Sequence, residues 1–359
     1  MVLTVMQVLH QGGGAGSVTS TLHLSLGLSR AGFHVRFVCP PDSEVEVQAR
    51  AGGLEVHPLS LRSQGRFANA NAMATLLERH PVDLVNSQSA KDRAALTWLG
   101  LRGRLRVPLV VTRRQMPRTF PLENWLVSKA ATRIVAVSHS VGEALMQRGT
   151  PRSKLVVIPN GLVTERVDGP VPADAVEAWR GRIAWDAARR TIGIVARRKD
   201  QDVVIRALEH VRIPVRLVLA GVDPDSRLGS LTRVVPGRHA VVCIPFSADV
   251  RPLYELLDLV LLPSRSEGLS QSLLEAMALG KPVIASNSTG NRDLITHGVD
   301  GRLVPPMSAA AWGQTIEELL TSPEEAGRLA AAARRTARVR FSLEHTVQRT
   351  ADLYRSLLG

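Results

Sequence analysis

Short runs of valine, leucine and isoleucine alternate with longer stretches of helical periodicity along this 359-residue chain, and the alternation occurs twice. A parallel sheet buried on both faces repeats in this way, because each parallel strand needs a long crossover, usually a helix, before the next. In the first half the strand candidates are residues 2–9, 35–39, 83–86, 108–112, 133–137 and 155–158, with helical patterns such as 19–30, 68–79 and 140–148 between them. In the second half they are residues 191–195, 215–220, 240–244, 259–262 and 282–285. Past Pro305-Pro306 the chain reads as helix only, through residues 324–340 and 342–358. Single cores rarely grow beyond about 250 to 300 residues, so the length also argues for two domains. The join falls at Pro159-Asn160-Gly161, followed by Gly169, Pro170 and Pro172. The expectation is an α/β protein of two Rossmann-like, doubly wound halves, 1–163 and 170–341, facing a cleft lined by the carboxyl ends of their strands.

Composition sets bounds on function. With 45% hydrophobic and 21% charged residues, the chain is neither disordered nor collagen-like. Its 45 Lys and Arg against 32 Asp and Glu give a formal charge of +13. The first 165 residues carry 19 basic and 10 acidic groups, so most of the excess lies there. Between Arg102 and Arg133 eight basic residues meet one acid, Glu123. Only 4% of residues are aromatic, and no zinc-finger, RNP-like or homeodomain pattern occurs, so nucleic acid is not the expected partner. Anionic lipid headgroups or a phosphorylated acceptor fit the charge, as does a solvated arginine-rich surface. Cys39 and Cys243 each sit in an apolar run and read as buried free thiols of a reducing cytosol. The first ten residues lack a basic n-region and read as a strand, not a signal peptide. With no run of 18 apolar residues, the expected place is the cytoplasm, with peripheral contact to an anionic membrane as an option.

The densest motif is Pro263-Ser-Arg-Ser-Glu-Gly-Leu-Ser-Gln-Ser-Leu-Leu-Glu-Ala-Met-Ala-Leu-Gly-Lys-Pro282. It reads as a strand end, a glycine-containing loop, and a helix capped by Ser270 and closed by Gly280. A helix start offers unpaired N–H groups to a phosphate. Glu267 and Glu275 bracket that anion site. Since carboxylates repel phosphate, each should address a neutral group: Glu267 a donor sugar, Glu275 a ribose. The plainer alternative makes Glu267 a helix-dipole carboxylate and Glu275 a surface residue. Arg197, Arg198 and Lys199 follow the first strand of the second half, where cations can stabilise a departing diphosphate; a solvated basic turn is the alternative. Gly12-Gly-Gly-Ala-Gly16 follows the chain's first strand, but it spells neither the dinucleotide fingerprint nor a Walker motif. Asp223-Pro-Asp225 has metal-ligand spacing but reads as a proline turn.

Together these residues resemble family 4 of the nucleotide-sugar-dependent glycosyltransferases (glycosyl transferases group 1), retaining enzymes of the GT-B fold. The resemblance covers nearly the whole chain. It is carried by Gly12 to Gly16, Ala136-Val137-Ser138, Ile158-Pro159-Asn160-Gly161, the basic turn at Arg197 to Lys199, and above all the block from Leu262 to Ala285. The resemblance implies a catalytic set of Glu267, Arg197, Arg198 and Lys199. It implies donor binding by Glu275, Gly268, Leu269, Ser270, Gln271 and Phe246, with Gly13 and Gly14 from the first loop. Where many members carry a histidine, this chain has Thr112-Arg113-Arg114-Gln115, which suggests that Arg113 and Arg114 meet an anionic acceptor or the donor phosphates. The family's last helix crosses back onto the first domain, a role for residues 342–359.

The expected reaction is transfer of a sugar, with retention, from a nucleoside-diphosphate sugar to a lipid, polysaccharide or small-molecule acceptor in cell-envelope synthesis. It would proceed by front-face attack, with no metal and no other cofactor. Two other readings stand beside it: a nucleotide-sugar epimerase on the same fold, which would consume donor without acceptor, and a non-catalytic nucleotide-sugar-binding module. A dehydrogenase fits less well, because the glycine fingerprint fails.

Overall fold

A computed structural model describes residues 2–13, 16–62, 65–118, 120–223 and 225–359. The chain divides into two compact units, Met1–Val163 with Phe341–Gly359, and Thr164–Arg340. The sheet of the first unit contains β1 (Thr4–Val8), β2 (His34–Cys39), β3 (Glu55–Pro58), β4 (Leu84–Ser87), β5 (Leu109–Arg113), β6 (Arg133–Ala136) and β7 (Leu155–Val157). All pairings are parallel, in the order β3-β2-β1-β4-β5-β6-β7. The second unit contains β8 (Arg190–Val195), β9 (Val215–Ala220), β10 (Ala240–Ile244), β11 (Leu259–Leu262), β12 (Val283–Ser286) and β13 (Arg302–Val304), also parallel, in the order β10-β9-β8-β11-β12-β13.

The doubly wound architecture therefore holds in both units. The central strands are apolar on both faces, as in β11, where all four residues are buried. Two strands lie outside the apolar-run reading, β3 and β13. Both are edge strands of three or four residues that carry charged or imidazole side chains, so their sequence has no buried run to show. Among the described residues no helix is long and apolar enough to cross a membrane. Cys39 is buried, but Cys243 is only half-buried, a correction to the expectation of two buried thiols.

The Pro-Asn-Gly turn of the first unit is a seat for the C-terminal helix, Leu343–Leu358. The Thr346 hydroxyl donates to the Pro159 carbonyl at 2.9 Å, and the Leu162 amide to the Phe341 carbonyl at 2.6 Å. A Cβ on Gly161 would come within 2.4 Å of the Leu343 Cα, so only glycine permits this approach. Farther along the helix, Tyr354 is fully buried and its hydroxyl accepts from Gln7 (2.9 Å) and Asn86 (2.6 Å), which joins the helix to β1 and β4. Residues 164–168, read from the sequence as part of a linker, belong instead to the second unit. Asp168 pairs with Arg338 at 2.7 Å, and Arg166 with Glu275 at 2.6 Å.

Candidate functional site

In a doubly wound sheet, the first strand and the strand beside it send their chains in opposite directions. The gap beyond their carboxyl ends is where ligands bind. In the second unit this switch point lies between β8 and β11. The turn at Arg197–Lys199 leaves β8, and the loop at residues 263–270 leaves β11, so the order of strands brings together two motifs about 70 residues apart. The contact is direct: Lys199 Nζ lies 2.7 Å from Glu267 Oε1. Arg265 reinforces it from the same loop, its backbone and side chain both donating to Asp200 at 3.0 Å.

The basic turn is held from within. Gln201, fully buried, donates to the Arg197 carbonyl at 2.9 Å and accepts from the Lys199 amide at 2.5 Å. Arg198 is drawn away by two carboxylates, Asp225 at 2.6 Å and Asp202 at 3.2 Å. Asp225 also caps the next helix by accepting from the Leu228 amide at 2.7 Å. Its partner in the Asp-x-Asp pattern, Asp223, is exposed, and Pro224 between them lies outside the described residues.

The Glu267 loop is clamped from the far side. The Glu267 amide donates to Thr289 Oγ1 at 2.9 Å, and the Gly290 amide to the Glu267 carbonyl at 3.2 Å. A Cβ at Gly290 would stand 2.0 Å from the Gly268 carbonyl oxygen. Beneath the loop, the Ser264 carbonyl accepts from Ser288 (2.8 Å) and Ser286, and Asn291 donates to the Ser286 carbonyl at 3.1 Å. None of Thr289, Gly290 or Asn291 stands out in the sequence, because their partners are backbone groups that only the fold brings to them.

Ser270 caps the helix Gln271–Ala278, accepting from the Leu273 amide as its sequence predicts. Gly268, Leu269 and Ser270 are buried, while Gln271 is half-buried and its Nε2 is enclosed without a hydrogen-bond partner among the described residues. Glu275 departs from the expectation of an open, ribose-facing carboxylate. It is buried, 6% exposed, and ion-paired with Arg166. Burial raises its pKa from the usual carboxylate value, and the Arg166 charge only partly opposes this. The sequence gives no hint of Arg166 because it sits in an apparent linker. Phe246, just beyond β10, is 64% exposed and free to meet a planar ring.

The first unit has its own switch point, between β1 and β4. Here the chain leaving β1 carries His10, which sequence reading takes only as a strand end. His10 Nδ1 lies 2.5 Å from Ser89 Oγ and 3.1 Å from Asp92 Oδ1. Asp92 is fully buried. Burial would raise its pKa, but hydrogen bonds from His10, Ser89 and Ser87 hold it below the ordinary value. The glycines beyond His10 have a packing reason: a Cβ on Gly12 would meet Ser43 Cβ at 2.9 Å, and one on Gly13 would meet Glu44 at 3.0 Å. Gly14 lies outside the described residues.

The paired arginines at the end of β5 do not both reach solvent. Arg113, expected to meet an acceptor, is buried at 5% exposure against Asn124, and burial lowers its pKa to about 9, so it remains charged at neutral pH. Arg114 is half-buried and donates to Gln88 Oε1 at 2.9 Å and to Asn160 Oδ1 of the Pro-Asn-Gly turn. Beside it a cavity of about 10 Å³, room for roughly one water, is lined by Asn86, Thr112, Asn160 and Thr350.

Two family models divide the chain as its two units do. The model of glycosyltransferase family 4 matches residues 14–166, and that of glycosyl transferases group 1 matches residues 179–336. The chain belongs to this glycosyltransferase family. Among curated proteins, it is 31% identical over 242 residues to D-inositol 3-phosphate glycosyltransferase of Xylanimonas cellulosilytica, covering 64% of this chain and 58% of that protein. It is 28% identical over 287 residues to the Rhodococcus erythropolis protein of the same name, covering 72% and 64%. These matches span less than two thirds of the length of the curated relatives. A solved structure of Anabaena Alr3699/HepE in complex with UDP and glucose matches 99% of this glycosyltransferase-family chain and 100% of its own, with a TM-score of 0.84 and 20% identity. At that identity the likeness speaks for the fold, which is GT-B.

Proposed function

We propose that this chain is a retaining glycosyltransferase that binds a nucleoside-diphosphate sugar at the switch point of its second unit and delivers the sugar to an acceptor recognised by its first. The observation that carries the reading is the Lys199–Glu267 pair, set between the basic turn after β8 and the capped helix after β11. A cation, a helix start and a carboxylate then lie side by side, the set needed for a diphosphate next to a sugar. Gln271 Nε2, unpartnered among the described residues, offers a further donor to a ligand oxygen. The name of the Anabaena neighbour, a complex with UDP and glucose, supports the same donor class.

In the proposed step the bond from the anomeric carbon to the diphosphate oxygen breaks while the acceptor oxygen attacks from the same face. The acceptor proton passes to the departing diphosphate, so no protein base is required. Lys199 and the helix start take up the charge that grows on the leaving group. Arg197 or Arg198, beside Lys199 in the same turn, is the arginine assigned to the diphosphate. Glu267 holds sugar hydroxyls. Glu275 takes the ribose hydroxyls by exchanging part of its contact with Arg166. Cations of the chain fill the role a metal would have, so EDTA should leave the rate unchanged.

The acceptor reading is an anionic or lipid-linked molecule at a negatively charged membrane face, in envelope glycan or glycolipid synthesis. Its support is in the first unit, where Phe120, Leu122 and Trp125 are exposed at the start of the helix Pro121–Ala130. The neighbouring helix Ala90–Leu101 packs beside it, and Arg102, Arg104, Arg106 and Arg118 are all exposed. Exposed rings among cations suit the boundary of an anionic bilayer.

The test is proton NMR of the donor in EDTA, with and without acceptor. Transfer predicts a product whose new anomeric proton keeps the donor's configuration. A donor converted to its epimer without acceptor would replace this reading with an epimerase, and an inverted product would remove the front-face mechanism.

A further inference from the structure

At the opposite end of the first unit's sheet, three imidazoles and a guanidinium surround one carboxylate. Glu55 and His57 lie two apart on the edge strand β3, so both point to the same face. The register aligns Arg36 of β2 with Glu55, which puts His34 on that face as well. His80 arrives from the end of the helix Arg66–Arg79, and its ring centre is 4.0 Å from that of His57. His57 Nε2 lies 2.7 Å from Glu55 Oε1, and His34 Nε2 lies 2.7 Å from Glu55 Oε2. Each of Glu55, His57 and His80 offers a ligand atom within 4.8 Å of the others, and all three are half-buried.

We propose that Glu55, His57 and His80 form a binding site for a zinc-class divalent transition metal, which staples the edge strand β3 to the end of the helix Arg66–Arg79. The ligand set selects the ion. Two imidazole nitrogens and one carboxylate oxygen suit Zn²⁺ or Ni²⁺, whereas Mg²⁺ and Ca²⁺ require oxygen ligands. Metal binding needs neutral imidazole and an ionised carboxylate, so the affinity falls as the pH is lowered.

The surrounding groups have places in the loaded site. His34 holds the second Glu55 oxygen, the outer hydrogen bond that orients a carboxylate ligand. Arg36 is anchored by its contact with the Pro81 carbonyl at 2.6 Å as well as by Glu55. Its Nε lies 3.1 Å from Glu55 Oε1, the ligand oxygen, so the guanidinium yields that contact when the metal binds and its positive charge lowers the affinity. Solvent completes the tetrahedron. Glu55 and His34 open their strands and His80 precedes β4, so the site lies at the amino ends, away from the Gly12–Gly13 loop. Its effect falls on stability and not on sugar transfer, and it stands independently of the transfer reading.

The experiment uses untagged full-length protein stripped with chelator and titrated calorimetrically with ZnCl₂, NiCl₂ and MgCl₂. The expected result is one Zn²⁺ per chain with a raised Tm, no Mg²⁺ binding, and a loss of affinity of at least about tenfold in His57→Asn and in His80→Asn. X-ray absorption of the wild-type zinc complex needs no variant: it should show two imidazole nitrogens at about 2.0–2.1 Å. A zinc shell of oxygens alone, or one-to-one binding that His57→Asn leaves unchanged, would overturn the site.

Discussion

Arg166 and Glu275 form the residue pair on which the donor reading is most exposed, because a buried acid is costly to leave unmatched. Burial keeps the Glu275 pKa raised in the folded chain, so the folded form binds its proton up to a higher pH than the unfolded form does. The stability that this group contributes is therefore complete below the ordinary carboxylate range and declines as pH rises through the raised value. Removing Arg166 takes away the opposing charge and raises the Glu275 pKa further. Arg166→Ala should cost about 1–3 kcal/mol at pH 8, when an ionised carboxylate would be left without its partner. The cost should shrink towards pH 4.5, as Glu275 protonates. Urea denaturation of both proteins at the two pH values measures this, and an equal loss at both would show that the pair carries no buried charge. The identity of Glu275 as a candidate is legible in its spacing from Glu267. Its burial is not, because the residue covering it comes from a stretch whose glycine and prolines read as linker.

At the scale of elements, the candidate donor site is a loop held between two others. The β11 loop meets the β8 turn through Lys199 and Glu267, and is pressed by Thr289 and Gly290 from the start of the helix Thr289–Leu294 after β12. A methyl group at position 290 has no room beside the Gly268 carbonyl, 2.0 Å away. Gly290→Ala should therefore shift the Glu267 loop and lower the rate of sugar transfer by about a hundredfold, the size of effect expected of an ångström-scale displacement. Circular dichroism should remain native. A variant with the wild-type rate would mean that the loop's position is unimportant. The central strands are legible from their apolar runs because burial on both faces leaves a continuous signal. Strands β3 and β13 are hidden, since an edge needs no such run. The Ser270 cap is readable because its contact is three residues away; the Thr289 clamp is not, because its contact is 22 residues away.

For the whole molecule, charge and apolar exposure make separable predictions. The first unit carries most of the net charge together with exposed Phe120, Leu122 and Trp125. The protein should float with vesicles containing an anionic phospholipid and remain at the bottom with neutral ones, while Phe120→Ser with Trp125→Ser should release it. Equal failure with both vesicles would leave a soluble anionic acceptor or an ordinary arginine-rich surface. Sequence could show that arginines cluster there, but it could not show that Arg113 is turned inward: it ends the buried strand β5 and donates to Asn124, while Arg114 beside it is half-buried.

The central claim, that the β8–β11 switch point binds a nucleoside diphosphate through Lys199, Glu275 and the start of the helix Gln271–Ala278, is tested most directly by calorimetric titration. UDP, GDP and ADP are each titrated into wild type, Lys199→Ala and Glu275→Ala. The account predicts one-to-one binding of at least one of the three, with affinity at least about tenfold lower in each variant, equivalent to roughly 1.4 kcal/mol. Binding of the same nucleotide with unchanged affinity in both variants would contradict it.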